Sequence, residues 1–231
     1  MVVKFHKKLS EYLYILMFDL ASRNTGVCLW DIAADAPVFT TTIAVRSGTE
    51  LAVEDLYHQL EGLFARLKDM GINKNSILIS KEAMPTQVRH KSSTIQTFVA
   101  LARSHAILDL FATLNGVDVY DYTGVYPIST HSYLKKIGDF EKEHKIEKQD
   151  IKNYVVLHYN ISKFLTMDEY DAVFLAQTLV QVKWNRDLQE EIRAVRRHSR
   201  ELKTAGGVAR CQKTEAALRE LLIPGGMISE Q

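Results

Sequence analysis

The chain has 231 residues, of which 29 are Lys or Arg and 28 are Asp or Glu, so its net charge at pH 7 is only +1. This length supports one domain with an appendage, or at most two small domains. An apolar share of 46% excludes a mainly disordered protein, and a total of two cysteines excludes a disulfide framework and a zinc site built on cysteine spacing.

The apolar segments bear on where the protein is found. No uninterrupted apolar run reaches the ~18 residues that a membrane-spanning helix needs. The run at 12–18 is short, is followed by Asp19 and lacks a small-residue cleavage site, so it does not look like a signal peptide. We therefore expect a cytoplasmic protein without a membrane partner, in a bacterial cytoplasm or in the infected-cell equivalent if the chain is viral.

The order of the predicted elements favours an α/β fold. Three strands joined by short turns come first, and helices and single strands then alternate. The predicted strands are 12–19, 26–32, 38–45, 77–82 and 117–122, and the predicted helices are 50–69, 92–115, 127–138, 147–159, 167–203 and 212–222. This order predicts a mixed five-stranded sheet flanked by helices.

The same pattern predicts three parts of the chain. They are an N-terminal arm (1–11), a core domain (12–185) and a basic helical C-terminal extension (186–231). The helix predicted at 92–115 carries an apolar stripe at three- and four-residue spacing, which we expect to face the core. The stripe consists of Ile95, Phe98, Val99, Ala102, Ala106, Leu110 and Leu114.

Four carboxylates stand at element ends that can meet in space. Asp19 and Glu82 each close a near-continuous apolar run, which is the pattern of a central strand buried on both faces. Asp168 and Asp171 open the last long helix and share one of its faces. Such a cluster repels itself unless cations neutralise it, so the four residues predict a divalent metal site.

Each of these acids also has a simpler explanation. An Asp at a strand end is often a turn cap, Lys81 and Glu82 could form a surface pair, and acids in a first helical turn are favoured by the helix dipole. Their combination still favours a shared site, because a core-facing stripe that begins with two acids is costly without a cation.

Basic residues are concentrated away from the four acids. Residues 193–213 contain seven Lys or Arg against Glu201 alone, and 83–108 contains no acid. A solvated helix end would also favour cations, but separate basic patches and an acidic cluster are typical of an enzyme that holds a polyanion. The DNA contacts predicted in these patches are Arg89, Lys91, Arg193, Arg196, Arg197 and Arg200.

The segment 19–26, Asp-Leu-Ala-Ser-Arg-Asn-Thr-Gly, resembles the first-strand motif of the RuvC family of Holliday-junction resolvases, Asp-Pro-Gly-Ser-x-x-Thr-Gly. Ser22, Thr25 and Gly26 match this motif, whereas Leu20 and Ala21 replace its Pro and Gly. The order of the predicted elements is also that of the ribonuclease H-like fold, to which this family belongs.

Further segments are similar to the same family, and together they cover about 12–182. Glu82 stands where the family keeps its second acid, and 168–172 is similar to its closing Asp-x-x-Asp-Ala motif. The segment 119–138 resembles its strand, helix and lysine-containing stretch. Lys148 and Lys152 resemble its downstream lysines.

Three departures from the family pattern are visible. The segment 139–145 is longer and more charged than the family's Gly-x-Gly-x-Ala-x-Lys stretch, and Met84 stands near the place where many members carry an aromatic wedge. Residues 186–231 have no counterpart in the compact bacterial members. Such divergence is similar to that of viral, especially phage, members.

The resemblance implies a ribonuclease H-like nuclease that hydrolyses four-way junction DNA with two divalent ions, Mg²⁺ with Mn²⁺ accepted. Asp19 would bridge both ions, and Glu82 and Asp171 would each complete one coordination shell. Asp168 would hold the second ion or orient the attacking water. The DNA contacts implied near the site are Met84, Lys135 and Lys136.

Symmetric incision of a four-way junction needs two active sites related by a two-fold axis, so the resemblance also implies a homodimer. The helix at about 93–114, rich in Ala and Leu, is the expected interface.

Three other classes of protein stay open. A ribonuclease H that cuts RNA–DNA hybrid places its glutamate on the first helix, whereas Glu82 follows a fourth strand. An actin-like ATPase needs a duplicated domain, for which 231 residues lack room. A branched-DNA-binding protein without catalysis is disfavoured by the four intact carboxylates.

Overall fold

The computed structural model describes residues 9–21, 24–44, 51–84, 95–120, 125, 127–138, 140, 143–161 and 165–204. The strands are β1 (Tyr14–Asp19), β2 (Asn24–Asp31), β3 (Ala36–Ala44), β4 (Ile77–Lys81) and β5 (Asp118–Val119). The helices are α1 (Leu51–Asp69), α2 (Ile95–Asn115), α3 (Pro127–Ile137), α4 (Lys148–Tyr159) and α5 (Met167–Thr204). Their order is the predicted one, and the helix predicted at 212–222 lies outside the described residues.

The strands form one mixed sheet in the order β3-β2-β1-β4-β5. β1 pairs antiparallel with β2 and parallel with β4, and β5 adds to β4 in parallel. β1 and β4 are central and almost wholly buried, because their near-continuous apolar sequences can be covered on both faces. The mixed five-stranded α/β sheet predicted from the sequence is therefore confirmed.

The two faces of the sheet carry different helices. The main apolar cluster packs one face of β1, β2 and β4 against α1 and α2. Side chains alternate along a strand, so Asp19 points to the opposite face from its core neighbour Phe18. On that opposite face, the ring of Trp30 in β2 contacts Tyr159 in α4, with centroids 5.2 Å apart, and Phe174 links α5 to α4. The acid that ends β1 therefore faces the layer that contains α4 and α5.

The buried face of α2 is not the predicted one. Five members of the predicted inward stripe are exposed, namely Ile95, Val99, Ala106, Leu110 and Leu114. The core side is formed instead by Ser104, His105, Ile107, Leu108, Phe111 and Ala112. The prediction was wrong because α2 is apolar on more than one face, and periodicity alone does not tell which face meets the sheet.

The expectation of no membrane partner stays a prediction, and α2 is the helix that bears on it. Among the described residues it is the one helix that is long and apolar enough, by length and composition, to cross a bilayer. Only 33% of its most apolar window is buried. Its buried residues nevertheless include Leu108 and Phe111, which belong to the main apolar cluster, so α2 covers the sheet with one face and exposes an apolar second face.

The chain divides into two compact units, which are described here separately. Residues 10–180 contain the whole sheet, α1 to α4 and the start of α5. The other unit comprises 1–9 and 181–231, and its described residues 181–204 are the helical continuation of α5. The domain boundaries predicted from the sequence stay a prediction.

Gly26 lets the first turn of α5 lie directly against β2. A β-carbon at this position would overlap the backbone oxygen and carbonyl carbon of Asp168. Gly26 is also the residue that pairs with Asp19 in the β1–β2 register. β2 begins at Asn24 and not at the predicted residue 26, so Gly26 lies inside the strand, where its missing side chain lets a helix approach closely.

We expect Gly26→Ala to lower the free energy of unfolding by about 1–3 kcal/mol, because the added methyl group meets backbone atoms that cannot rotate away. Gly62→Ala in α1 is the matched control, since nothing lies within 4 Å of a β-carbon there. The control should leave stability unchanged or raise it by about 0.5–1 kcal/mol. Urea unfolding of both variants measures the difference, and equal stability would contradict the close approach.

Candidate metal centre

Four acidic side chains meet at one edge of the sheet. Carboxylate oxygens of Asp19, Asp168 and Asp171 lie within 4.8 Å of one another. The carboxyl group of Asp19 is hydrogen-bonded to that of Glu82. The structure thus brings together all four acids that the sequence singled out, from two strand ends and one helix start.

Backbone hydrogen bonds hold Glu82 next to Asp19. The Glu82 N–H donates to the Phe18 carbonyl oxygen at 2.9 Å, which continues the β1–β4 pairing by one residue. On the other side, Glu82 forms a parallel bridge with Val125. Parallel neighbours end at the same edge of a sheet, so these two strands present their terminal acids side by side.

A capping box fixes the start of α5. The Thr166 N–H donates to Glu169 Oε2 at 2.8 Å, and the Glu169 N–H donates to Thr166 Oγ1 at 3.2 Å. The two hydroxyl groups of Thr42 and Thr166 lie 2.9 Å apart and link this cap to β3. Asp168 and Asp171 therefore leave a helix end that is anchored to the sheet.

Lys148, the first residue of α4, reaches the acids from the other side. Its Nζ donates to Asp171 Oδ2 at 2.7 Å. A cation at a helix N-terminus is disfavoured by the helix dipole, so its favourable partner here is the acidic cluster. Asp150 accepts the Glu147 N–H at 2.8 Å and lies 2.9 Å from His144 Nε2, which fixes the helix start.

The acids open into a cavity of about 270 Å³. Sequence reasoning did not predict that Thr130 and His131 of α3 would line it, and Lys148 had been marked only by resemblance. Short polar segments such as these carry no spacing signal that would assign them to a site. The lining consists of Asp19, Glu82, Thr130, His131, Lys148, Ile151, Asp171, Phe174 and Leu175.

Burial is the largest cause of the raised pKa values in this cluster. It raises the pKa of Asp19, Glu82 and Asp171, since a carboxylate is less stable away from water. At Asp19 the negative charge of Glu82 and then that of Asp171 raise the pKa further, whereas Lys148 lowers it. The shared hydrogen bond raises the pKa of Asp19 and lowers that of Glu82, and it requires that the two carboxyl groups hold one proton between them.

The donor set fits a hard divalent cation. Oxygens that bind one ion at 2.0–2.6 Å can lie up to about 4–5 Å apart, as they do here. Asp171 Oδ1 is buried and has no hydrogen-bond partner among the described residues, while Oδ2 accepts from Lys148. A cation would satisfy Oδ1 and replace the proton that Asp19 and Glu82 hold between them, so the residues present suit Mg²⁺ or Mn²⁺.

Of the DNA contacts predicted within 10–180, the described Met84, Lys135 and Lys136 are not among the residues that line this cavity. Met84 is half-buried, and the other described members are exposed, namely Lys135, Lys136, Arg193, Arg196 and Arg197. Arg89 and Lys91 lie outside the described residues, as does the side chain of Arg200. Their role in DNA binding stays a prediction.

Comparison with solved structures identifies the fold. A Thermus thermophilus RuvC in complex with Holliday junction substrate has a TM-score of 0.54 and 11% sequence identity, over 75% of this chain and 95% of that chain. A second T. thermophilus RuvC structure has a TM-score of 0.53 with the same identity and coverage. The chain has the ribonuclease H-like fold of RuvC. No protein-family model and no curated protein sequence matches the chain.

We expect Asp19→Asn to stabilise the metal-free protein at pH 8. Burial raises the pKa of Asp19 above its ordinary value of 3.8, so the folded state holds a proton that the unfolded state has lost. This costs stability as the pH rises above about 4. One pKa unit corresponds to about 1.4 kcal/mol. The free energy of unfolding of Asp19→Asn, relative to that of the wild type, should therefore be higher at pH 8 than at pH 5 by at least this amount.

Urea unfolding at the two pH values measures this difference, with the exposed Asp69→Asn in α1 as the control. Added Mn²⁺ should raise the melting temperature of the wild type and of the control but not that of Asp19→Asn. The same pH dependence in all three proteins would contradict the crowded, buried cluster.

Proposed function

We propose that the protein is a divalent-metal-dependent nuclease that cleaves branched DNA, with the four-way junction as its main substrate. The observation that carries this proposal is the convergence of Asp19, Glu82, Asp168 and Asp171 at one sheet edge, beside a cavity that Asp19, Glu82 and Asp171 line. The fold supports it, because one similar structure is a RuvC bound to a Holliday junction substrate. The proposed ion is Mg²⁺, with Mn²⁺ accepted.

The four acids would hold the metal, and each has a different surrounding. Asp19, whose pKa the charges of both Glu82 and Asp171 raise, would share in releasing the proton of the Asp19–Glu82 pair to a bound cation. Asp171 would offer the oxygen that has no hydrogen-bond partner among the described residues, while Lys148 orients the other. When bound, the metal would lower the pKa of a water molecule and neutralise phosphate charge.

Lys148 would also limit the negative charge that a phosphate meets. Its ammonium group lies at the mouth of the cavity, with its side chain 63% exposed. A mobile cation at this position can neutralise one charge of the cluster or turn towards a DNA phosphate. His131, which lies near enough to Asp171 to lower its pKa, adds a second basic group on the same side.

We propose that basic residues outside the cavity lining hold DNA beyond the cleaved bond. Lys135 and Lys136 are exposed in the last turn of α3, and Met84 follows Glu82 by two residues, where it could meet a base. We propose backbone contacts for the arginines of 193–200, of which Arg193, Arg196 and Arg197 are exposed.

With Mg²⁺, the wild type should cut a four-way junction faster than linear duplex or RNA–DNA hybrid of equal length. Asp19→Asn should reduce cleavage below detection while junction affinity stays equal or rises, because it removes a metal ligand and a phosphate-repelling charge together. Gel assays of cleavage and of binding in Ca²⁺ measure both. Preferred cutting of the hybrid would assign a ribonuclease activity instead, and binding without cutting would assign a non-catalytic junction-binding protein.

We also propose that the protein is a homodimer in which the exposed face of α2 meets its copy. Leu110 and Leu114 are 52% and 66% exposed and continue the stripe of Ile95 and Val99. Burying such a stripe against a second copy removes apolar surface from water, and a two-fold pair of sites suits symmetric incision.

Leu114→Glu should convert the dimer into a monomer, because it places a charge in the proposed contact. Leu157→Glu in α4 is the control, since Leu157 is even more exposed, at 84%, and lies on another helix. Sedimentation velocity with and without junction DNA measures both. A wild-type monomer under both conditions would contradict the dimer.

A further inference from the structure

Lys81 is a buried cation directly before Glu82. Its side chain is only 1% exposed, so the surface pair with Glu82 that the sequence allowed is not formed. Lys81 lies opposite Phe18 in the β1–β4 register and two residues after Ile79, both of which belong to the main apolar cluster. A charge in such surroundings needs a partner of opposite sign.

Asp109 of α2 is that partner. Lys81 Nζ lies 2.5 Å from Asp109 Oδ1, and no other acid among the described residues forms an ion pair with Lys81. His105, one helical turn before Asp109, is buried as well. Burial and the nearby charge of Lys81 lower the pKa of His105 to about 4, so it is neutral at pH 7 and adds no second cation.

The backbone around Lys81 transmits this contact to the acidic cavity. The Val125 N–H donates to the Lys81 carbonyl oxygen at 2.7 Å, and the next residue, Glu82, donates its N–H to Phe18. Successive side chains of a strand point to opposite faces, so Lys81 enters the α2 side while Glu82 enters the cavity. A fixed Lys81 therefore limits how far the strand end can rotate about its own axis.

We propose that the Lys81–Asp109 ion pair positions Glu82 for metal binding and so couples the cavity to α2. This inference rests on the proposed function, because it takes Glu82 as a metal ligand. Lys81 is a positioning residue: it lies on the opposite face of the sheet from the metal and the DNA. An apolar side chain would fill the same space but would not be tied to one point of α2.

The double variant Lys81→Met/Asp109→Leu tests this coupling. Removing one partner would strand a buried charge, whereas replacing both with apolar residues often leaves stability unchanged. We expect a metal-free melting temperature close to that of the wild type. We also expect Mn²⁺ binding, followed by the electron paramagnetic resonance signal of free Mn²⁺, to be about tenfold weaker. On a four-way junction, kcat should fall while KM stays unchanged.

Lys74→Met is the matched control. Lys74 precedes β4, and its Nζ donates to the Asn115 carbonyl oxygen at the end of α2 at 2.7 Å, far along the strand from Glu82. Its Mn²⁺ affinity and kcat should equal those of the wild type. If the double variant does not fold, Lys81→Met/Asp109→Asn gives the same decision, because it also removes both charges together and keeps the side-chain shape at the partly exposed position 109.

The outcomes separate the two proposals. A folded double variant of either kind with wild-type Mn²⁺ affinity and kcat would overturn the positioning role and leave the nuclease proposal intact. A wild type that neither binds Mn²⁺ nor cuts branched DNA would overturn the nuclease proposal and the positioning role with it. If Mn²⁺ binds more weakly to the double variant than to the wild type and to Lys74→Met, and KM is unchanged, the coupling is supported.

Discussion

Helix α5 can bring its acids to Asp19 only because its first turn lies against β2 at Gly26, where there is no β-carbon to hold it away. The register places Gly26 beside Asp19, so one missing methyl group determines the distance between the strand acid and the helix acids. The capping box of Thr166 and Glu169 then fixes where the helix begins. Without this contact, the sheet could form and still leave its acids apart.

The charge balance of the site follows from that geometry. Burial raises the pKa of Asp19, Glu82 and Asp171, the charges of Glu82 and Asp171 raise that of Asp19 further, and Lys148 offsets only part of this. The metal-free protein therefore keeps a proton where a metal ion would place two positive charges. Without metal, the close packing of these buried carboxyl groups lowers the free energy of unfolding, as is common for a site that binds a cation.

Much of this arrangement could be predicted from the sequence, because β1 and β4 are uninterrupted apolar runs and their terminal acids must then share an edge. The buried face of α2 could not be predicted from the sequence. Leu110 and Leu108 both lie on apolar stripes of this helix, and only tertiary packing decides which stripe is buried. Lys81 resembled a surface lysine because its partner, Asp109, is distant in sequence. His131 joins the cavity through the placement of α3, which no local pattern encodes.

The most direct test of the metal centre is anomalous diffraction from crystals soaked in Mn²⁺. We expect at least one Mn²⁺ peak in the cavity, within about 2.0–2.6 Å of carboxylate oxygens of Asp19 and Asp171. The peak should disappear in Asp19→Asn crystals soaked in the same way. A wild-type cavity without a peak, with Lys148 still bonded to Asp171, would contradict a metal site at this edge of the sheet.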